Sequence, residues 1–506
     1  MIPALLSSGF PESVDGSAMP NWLIYMLPWL SVLLFVTAVG ACIGSLINVL
    51  VYRLPRGLDV VVPTSRCPKC DHKLTWRENI PIFGWLLLRG KCRFCKAPIS
   101  PEYPIVETIV AVLFGGIWAL WYIVPEDAIL GMGLVAPEWA GNGAMLTWPA
   151  AVVLLVLVGC LVAMTIIDAR TSTIPLMLTW VPAGLALLLH TGHAVWFYST
   201  YGNPVMMPGL EGAWVIPDAP RMKWLTAPGE VWTIATGGLA GWKFIGVGIG
   251  GVVGLGVSNL MLKLGWITRS FSDFDAWYEQ HRGKQTPAPA SEEDEGEGVF
   301  QSEQGEPHDL VAAEQETHHE AGVQDWLMYP HARREMVKEM AFLCPPVVLA
   351  FLGSWAMTQF VTARYGAWTQ LPESGQMVPP VNAPLWLVVL GGVLMGYLIA
   401  GGVVWAVRIG GSLAFGKEAM GLGDVHMMAA VGACLGWIDP TIAFFLAAFV
   451  GVAYAIAAQV FRGKLNRAMP YGPFLAVATL MVVLGKPVVE LVLGRIFGLD
   501  GTLNLP

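Results

Sequence analysis

Two aspartates, Asp168 and Asp424, stand where apolar runs meet charged text: Ala163-Met-Thr-Ile-Ile-Asp168-Ala-Arg170 and Met420-Gly-Leu-Gly-Asp424-Val-His426. Carboxylates at a membrane border are costly to keep and signal function. Brought together, two such acids are the minimum equipment for splitting a peptide bond with water. Like charges in a poorly solvated site do not both ionise easily, so one proton tends to be shared. The ionised member then deprotonates water while the protonated member polarises the amide carbonyl. A coupled pair titrates as one system, so neither role is assigned to either residue. Gly421 and Gly423 strip side chains from the backbone beside Asp424, which lets a substrate chain approach. Asp424 also suits the N-cap of a helix opening at Val425. The plainer alternative is an Asp424 that only caps its helix and an Asp168 that only marks a border.

Cysteine supplies a second constellation. Cys67-Pro-Lys-Cys70 and Cys92-Arg-Phe-Cys95 are two CxxC pairs in one polar loop. Four thiolates suit tetrahedral zinc with no position left for water, so such an ion braces the loop and activates nothing. The alternatives are four unconnected thiols and a nucleic-acid-binding ribbon, favoured by the ten Lys and Arg residues between 53 and 104. Those charges equally hold the loop on the inner side of a membrane, beside anionic lipid. The lipid account is preferred, and no nucleic-acid partner is expected. Cys42, Cys160, Cys344 and Cys434 fall in apolar runs and read as small buried hydrophobes. Gly246-Val-Gly-Ile-Gly250-Gly251 matches a dinucleotide fingerprint, but it follows no strand and lies inside an apolar run. Small residues four apart (Gly246, Gly250, Gly254) point instead to close helix packing.

The elements that must position these groups are membrane helices. The 506 residues are 55% hydrophobic and 13% charged, with mean hydropathy +0.58; globular chains carry about a quarter charged residues. Ten apolar runs approach or reach spanning length, near 28–51, 104–124, 148–167, 175–196, 242–264, 341–363, 384–407, 425–438, 440–461 and 471–494. The run 425–438 is short, and Asp439-Pro440 marks a tight turn after it. The expected fold is an all-α polytopic integral membrane protein with a small four-cysteine zinc-ribbon domain. Residues 1–28 hold no Lys or Arg, which puts the N-terminus outside and the basic loop in the cytoplasm. Threading onward puts Asp168, the stretch 265–340 and Asp424 inside. The first run lacks a basic flank before it, so no cleaved signal peptide is read.

The expected organisation is an outer segment 1–27, a first helix 28–52, the ribbon 53–103, helices over 104–266 that bring Asp168, and an insertion over 267–340. An extra helix and outer loop follow over 341–383, then helices over 384–494 that bring Asp424, and a tail 495–506. Ser291-Glu-Glu-Asp-Glu-Gly-Glu297 and the surrounding polar text make the insertion an acidic, disordered tether. His318-His319 belongs to that tether rather than to a metal site. Trp214, Trp224 and Trp232 in the outer loop 197–240 suit interfacial anchoring. Net charge −8 comes mainly from the insertion.

In order along the chain stand Gly44-Ser-Leu-Ile-Asn48-Val-Leu-Val-Tyr52-Arg53-Leu-Pro55, the cysteine pairs with Trp76-Arg-Glu-Asn79-Ile-Pro81-Ile-Phe-Gly-Trp85, and Tyr103-Pro104-Ile-Val-Glu107. Later come Ile167-Asp168, Gly416-Lys417-Glu418-Ala-Met420-Gly421-Leu-Gly423-Asp424-Val425 and Pro470-Tyr471-Gly472-Pro473-Phe474. This ordered set resembles the bacterial prepilin leader peptidases, GxGD membrane aspartic proteases. The resemblance implies eight family-type helices plus two extra ones, near 242–264 and 341–363. It also implies Asp168 and Asp424 as the catalytic pair. The implied activity is removal of leaders from type IV prepilins or type II secretion pseudopilins, at the cytoplasmic face of the bacterial inner membrane. Those substrates have a short basic leader, a glycine before the cut and an apolar helix that stays in the bilayer. Many members also methylate the new N-terminus with S-adenosylmethionine, and the four-cysteine region accompanies that branch; no residue is assigned to that cofactor. Glu107 is a candidate polar contact or structural hydrogen-bond partner inside the membrane. Ile174-Pro175-Leu176 departs from the family's Leu-Pro-Asp, His426 replaces Lys, Tyr471 replaces Phe, and the interval between the aspartates is long. The competing class is a non-enzymatic zinc-containing membrane scaffold or transporter.

Overall fold

The computed structural model describes residues 21–60, 66–67, 69–124, 143–201, 241–271, 331–370, 383–416, 418–462 and 470–497, with a few isolated positions between them. Outside the described residues lie 1–20, most of 125–142 and 202–240 (Trp224 and Trp232 included), the acidic stretch 281–330 with His318 and His319, Lys417, the basic loop 463–469 and the tail 498–506.

Every expected apolar run is helical, though the run 471–494 is broken at Gly485 into two shorter helices. The helices are α1 (Asn21–Arg53), α2 (Phe83–Leu87), α3 (Glu102–Tyr122), α4 (Ala144–Thr171), α5 (Leu176–Tyr201), α6 (Trp242–Lys263) and α7 (Ala332–Ala356). They continue with α8 (Leu385–Phe415), α9 (Leu422–Leu435), α10 (Ile438–Arg462), α11 (Gly472–Leu484) and α12 (Lys486–Phe497). A π turn, Met357–Val361, and a last turn, Thr362–Tyr365, extend α7. Among the described residues eight helices are long and apolar enough to cross a membrane, while α9 and α11 are shorter apolar helices. The only described strands are two-residue antiparallel pairs, Val205–Met206 with Trp214–Val215 and Thr369–Gln370 with Met377–Val378. The chain is thus an all-α polytopic membrane protein.

Three details differ from the reading of the text. The helix α7 begins at Ala332, inside the stretch read as tether. The turn between α9 and α10 falls at Gly436 (φ +84°), and Asp439-Pro440 lies within the first turn of α10, where proline is tolerated. Cys42 and Cys344 are exposed, whereas Cys434 is buried.

The chain forms two compact units, one from residues 1–252, 349–404 and 423–506, the other from 253–348 and 405–422. In the first, α1 lies along α3, α5 beside α4, and α11 against both α10 and α4. α4 is apolar all round, and Leu157, Val158, Ala163, Met164 and Ile167 are almost wholly enclosed. A side chain at Gly396 of α8 would lie 2.1 Å from the Gly432 carbonyl of α9, so those two backbones meet directly. The GxGxxG stretch does the same: a Cβ at Gly250 would lie 2.0 Å from the Leu349 carbonyl oxygen. In the second unit Gly254 meets Pro346, and the Ser258 hydroxyl donates to the Phe342 carbonyl at 2.6 Å. The glycine stripe is a packing seam between helices.

Gly250→Val therefore overpacks that seam. It should cost about 1–3 kcal/mol, seen as a lower thermal unfolding midpoint in detergent. Gly256→Ala, whose Cβ would meet nothing within 4 Å, should leave the midpoint unchanged.

Candidate active site

Asp168 occupies the penultimate turn of α4, only 6% exposed. The helix ends abruptly just beyond it. Ser172 takes a left-handed conformation (φ +48°) and its N–H donates to the Asp168 carbonyl at 2.9 Å. Arg170 is ion-paired with Glu102 at the start of α3, which ties the α4 terminus to its neighbour. The Asp168 carboxylate accepts a hydrogen bond from the Gly472 N–H at 3.0 Å. Gly472 is the first residue of α11, so this donor belongs to the positive end of a helix dipole. A side chain there would have to displace the Asp168 carboxylate. A Cβ at Gly472 would lie 2.5 Å from Asp168 Oδ2.

Asp424 is equally enclosed, again 6% exposed. The expectation that it caps a helix opening at Val425 is corrected: α9 opens at Leu422, and Asp424 lies inside the first turn. A carboxylate there is still favoured by the unpaired N–H groups of that turn. Gly423 is helical, and its absent side chain accommodates the protein itself, since a Cβ there would be 2.9 Å from Ile174 Cβ. Gly421 lies immediately before α9.

Two links join the acids' surroundings. Ile174, just past Asp168 in sequence, packs on Gly423 beside Asp424. Tyr471, next to Gly472, lies within electrostatic reach of the Asp424 carboxylate. Its hydroxyl donates to the Phe444 carbonyl at 3.1 Å, which fixes the ring. The Tyr471-Gly472 pair thus donates to Asp168 and lies within electrostatic reach of Asp424. Sequence reasoning assigned no site role to Tyr471, Gly472 or Ile174. The Tyr-Gly-Pro-Phe text, with Pro473 in the first turn of a helix, was the available signal.

The four cysteines come together. Their Sγ atoms all lie within 4.8 Å of one another, and Cys67 and Cys95 are 3.8 Å apart. The two knuckles share one geometry. Cys67 N–H donates to His72 O at 3.0 Å and Asp71 N–H to Cys67 O at 2.8 Å; Cys92 N–H donates to Ala97 O at 2.8 Å and Lys96 N–H to Cys92 O at 3.1 Å. Asp71 (φ +52°) and Lys96 (φ +58°) supply the matching left-handed turns. Cys92 is held down to about 7 by the Cys95 and Phe94 N–H groups. At Cys70 the His72 N–H acts downward, but burial and the other three thiols prevail and push it up to about 12. A cation replaces such shared protons readily. The loop is anchored by Glu107, whose carboxylate accepts the Ile82 N–H at 2.6 Å. This is the structural hydrogen-bond role anticipated for it.

Residues 38–121 match the family model described as "Bacterial Peptidase A24 N-terminal domain", and residues 366–456 match "Type IV leader peptidase family". The first takes in the cysteine loop and the second Asp424; Asp168 and Gly472 lie outside both. Three curated relatives carry the name prepilin leader peptidase/N-methyltransferase. The Myxococcus xanthus (strain DK1622) protein is 49% identical over 90 residues, 18% of this chain and 26% of the relative. The Aeromonas hydrophila protein is 36% identical over 182 residues, 31% of this chain and 54% of the relative. That of Aeromonas salmonicida (strain A449) is 30% identical over 231 residues, 38% of this chain and 70% of the relative. The chain thus spans about a quarter and about half of the first two. No solved structure matches.

The cysteine cluster should hold about one divalent metal ion per purified chain. Elemental analysis should find it in the wild type and not in Cys67→Ser/Cys92→Ser.

Proposed function

The chain belongs to the type IV leader peptidase family, and from that premise we propose that it removes the leader peptide from type IV prepilins or type II secretion pseudopilins. Asp168 and Asp424 are the catalytic pair in this reading. One observation carries it: both acids are buried, Asp168 accepts the Gly472 N–H, and the adjacent Tyr471 lies within electrostatic reach of Asp424. In a site this dry two carboxylates do not both ionise freely, so one proton is held between them. The ionised acid takes a proton from the attacking water. The protonated acid donates to the scissile carbonyl oxygen as the tetrahedral carbon forms. Collapse of that intermediate expels the amine, which leaves with the proton first taken from water.

The positive-inside pattern supports placing this chemistry at the cytoplasmic face of a bacterial inner membrane, beside anionic lipid. There the substrate's basic leader stays in water and its apolar helix stays in the bilayer. Zinc fits the cysteine cluster. Zn–S bonds of about 2.3 Å imply S···S edges of roughly 3.8 Å, which the Cys67–Cys95 separation of 3.8 Å matches. Cys67, Cys70, Cys92 and Cys95 would fill all four positions, so the ion would act as a cross-link of the loop. The relatives' shared name favours a second activity, methylation of the exposed amine with S-adenosylmethionine.

Asp168→Asn and Asp424→Asn should each lower cleavage of a prepilin in detergent or proteoliposomes by at least about a hundredfold, with membrane insertion intact; cleavage near the wild-type rate by either variant would sink the paired-acid mechanism. Gly472→Ala should displace the Asp168 carboxylate and cost at least about tenfold in kcat. Mass analysis of the mature pilin's first residue decides the methylation reading, with a bare amine counting against it.

A further inference from the structure

The second compact unit is built around a buried cation. Arg408 of α8 is 1% exposed. Its Nε donates to both carboxylate oxygens of Glu339 at 3.1 Å, and Nη2 donates to Oε1 at 2.9 Å. The Trp405 indole N–H adds a bond to Glu339 Oε2 at 2.7 Å. The remaining nitrogen, Nη1, meets Glu418 and the carbonyl oxygen of Met420. Met420 is the last residue before Gly421-Leu422-Gly423-Asp424. One guanidinium therefore joins three pieces of chain: α8, α7 through Glu339, and the connection that leads into α9.

The same connection is held elsewhere along its length. Gly416 (φ +70°) turns the chain out of α8, and its N–H donates to the Ser412 carbonyl at 2.9 Å. The Ser412 hydroxyl accepts the Ala419 N–H at 3.0 Å. The α7 side is fixed as well. Glu335, 1% exposed, accepts the Phe271 N–H at 2.6 Å and pairs with Lys338 at 2.9 Å. Arg333 donates to the Leu413 carbonyl at 3.1 Å. A buried guanidinium retains its place only where its donors are matched, and loss of one partner leaves an uncompensated charge. A planar guanidinium fork offers five donors in fixed directions, whereas an ammonium is a compact, more strongly hydrated point charge with three.

We propose that Arg408 is a positioning residue for the peptidase reaction: held by Glu339 of α7, it pins the Met420 carbonyl and so sets where the chain enters the helix whose first turn carries Asp424. On this account Glu339 of α7, which lies in the long interval between the aspartates, is a working support of the connection that leads into α9. The inference rests on the paired-aspartate reading for its kinetic arm and on the Arg408 contacts alone for its structural arm.

The test uses full-length protein in proteoliposomes, with wild type, Asp424→Asn, Arg408→Lys and the milder Glu339→Gln. Two readouts are taken, amide hydrogen exchange over residues 418–424 and steady-state prepilin cleavage. In Arg408→Lys and Glu339→Gln, exchange across 418–424 should rise about tenfold while α3 and α4 stay protected. In the same variants kcat should fall about tenfold with KM within about twofold. A merely structural role would lower activity only in proportion to the folded fraction and leave kcat per folded molecule unchanged. That result, or unchanged exchange in both variants, overturns the inference. If Arg408→Lys does not fold, Glu339→Gln alone decides. A wild type that fails to cleave, or an Asp424→Asn that still cleaves, contradicts the paired-aspartate reading instead. The exchange result then decides the positioning claim.

Discussion

A carboxylate taken out of water must be met by donors or neutralised by a proton, and in this chain that requirement falls on two acids at once. Both are answered with helix N-termini. Asp168 receives the first N–H of α11, and Asp424 sits in the first turn of its own helix. Such ends offer unpaired N–H groups and a partial positive charge without bringing in a competing cation. The Tyr471-Gly472 turn supplies the Asp168 donor and lies within electrostatic reach of Asp424.

Holding that turn in place is a matter of helix packing in an apolar medium, where burial of oily surface gives little drive and close backbone contact takes over. Gly396 against Gly432 brings α8 onto α9, and the Gly423–Ile174 contact brings α9 onto the end of α4. Gly472 does the same for α11, with a carboxylate rather than a backbone as its neighbour. At each of these places one added methyl group would collide with its neighbour. The cysteine loop is a separate problem, because many of its apolar residues, Trp76, Phe83, Leu87 and Phe94 among them, stay exposed. Its two matching knuckles and the Glu107–Ile82 bond supply order by other means.

Much of this was legible in the residues. The apolar runs became helices because length and composition largely decide that in a membrane, except that 471–494 splits at Gly485. The two CxxC pairs converged as their spacing indicated, and the glycine stripe at 246–254 proved to be a packing seam. The reading failed where partners lie far away in sequence. Nothing near Asp168 announces Gly472, and nothing near Gly423 announces Ile174. Local text also misplaced charged boundaries. The apolar run read as 384–407 stops just before Arg408. The helix instead continues to Phe415 with that arginine buried. Glu335 and Glu339 were read as tether. A burial that depends on pairing cannot be recognised before the pair is known.

The central claim is a meeting of two side chains that are distant along the polymer. It is tested most directly by replacing both with cysteine, Asp168→Cys/Asp424→Cys, in otherwise intact membranes. A short bifunctional thiol reagent is added, and the linked peptides are identified by mass spectrometry. The account predicts an efficient 168–424 cross-link, lost when either cysteine is moved one turn along its helix. Absence of that link, with both thiols shown to be reactive, would contradict it.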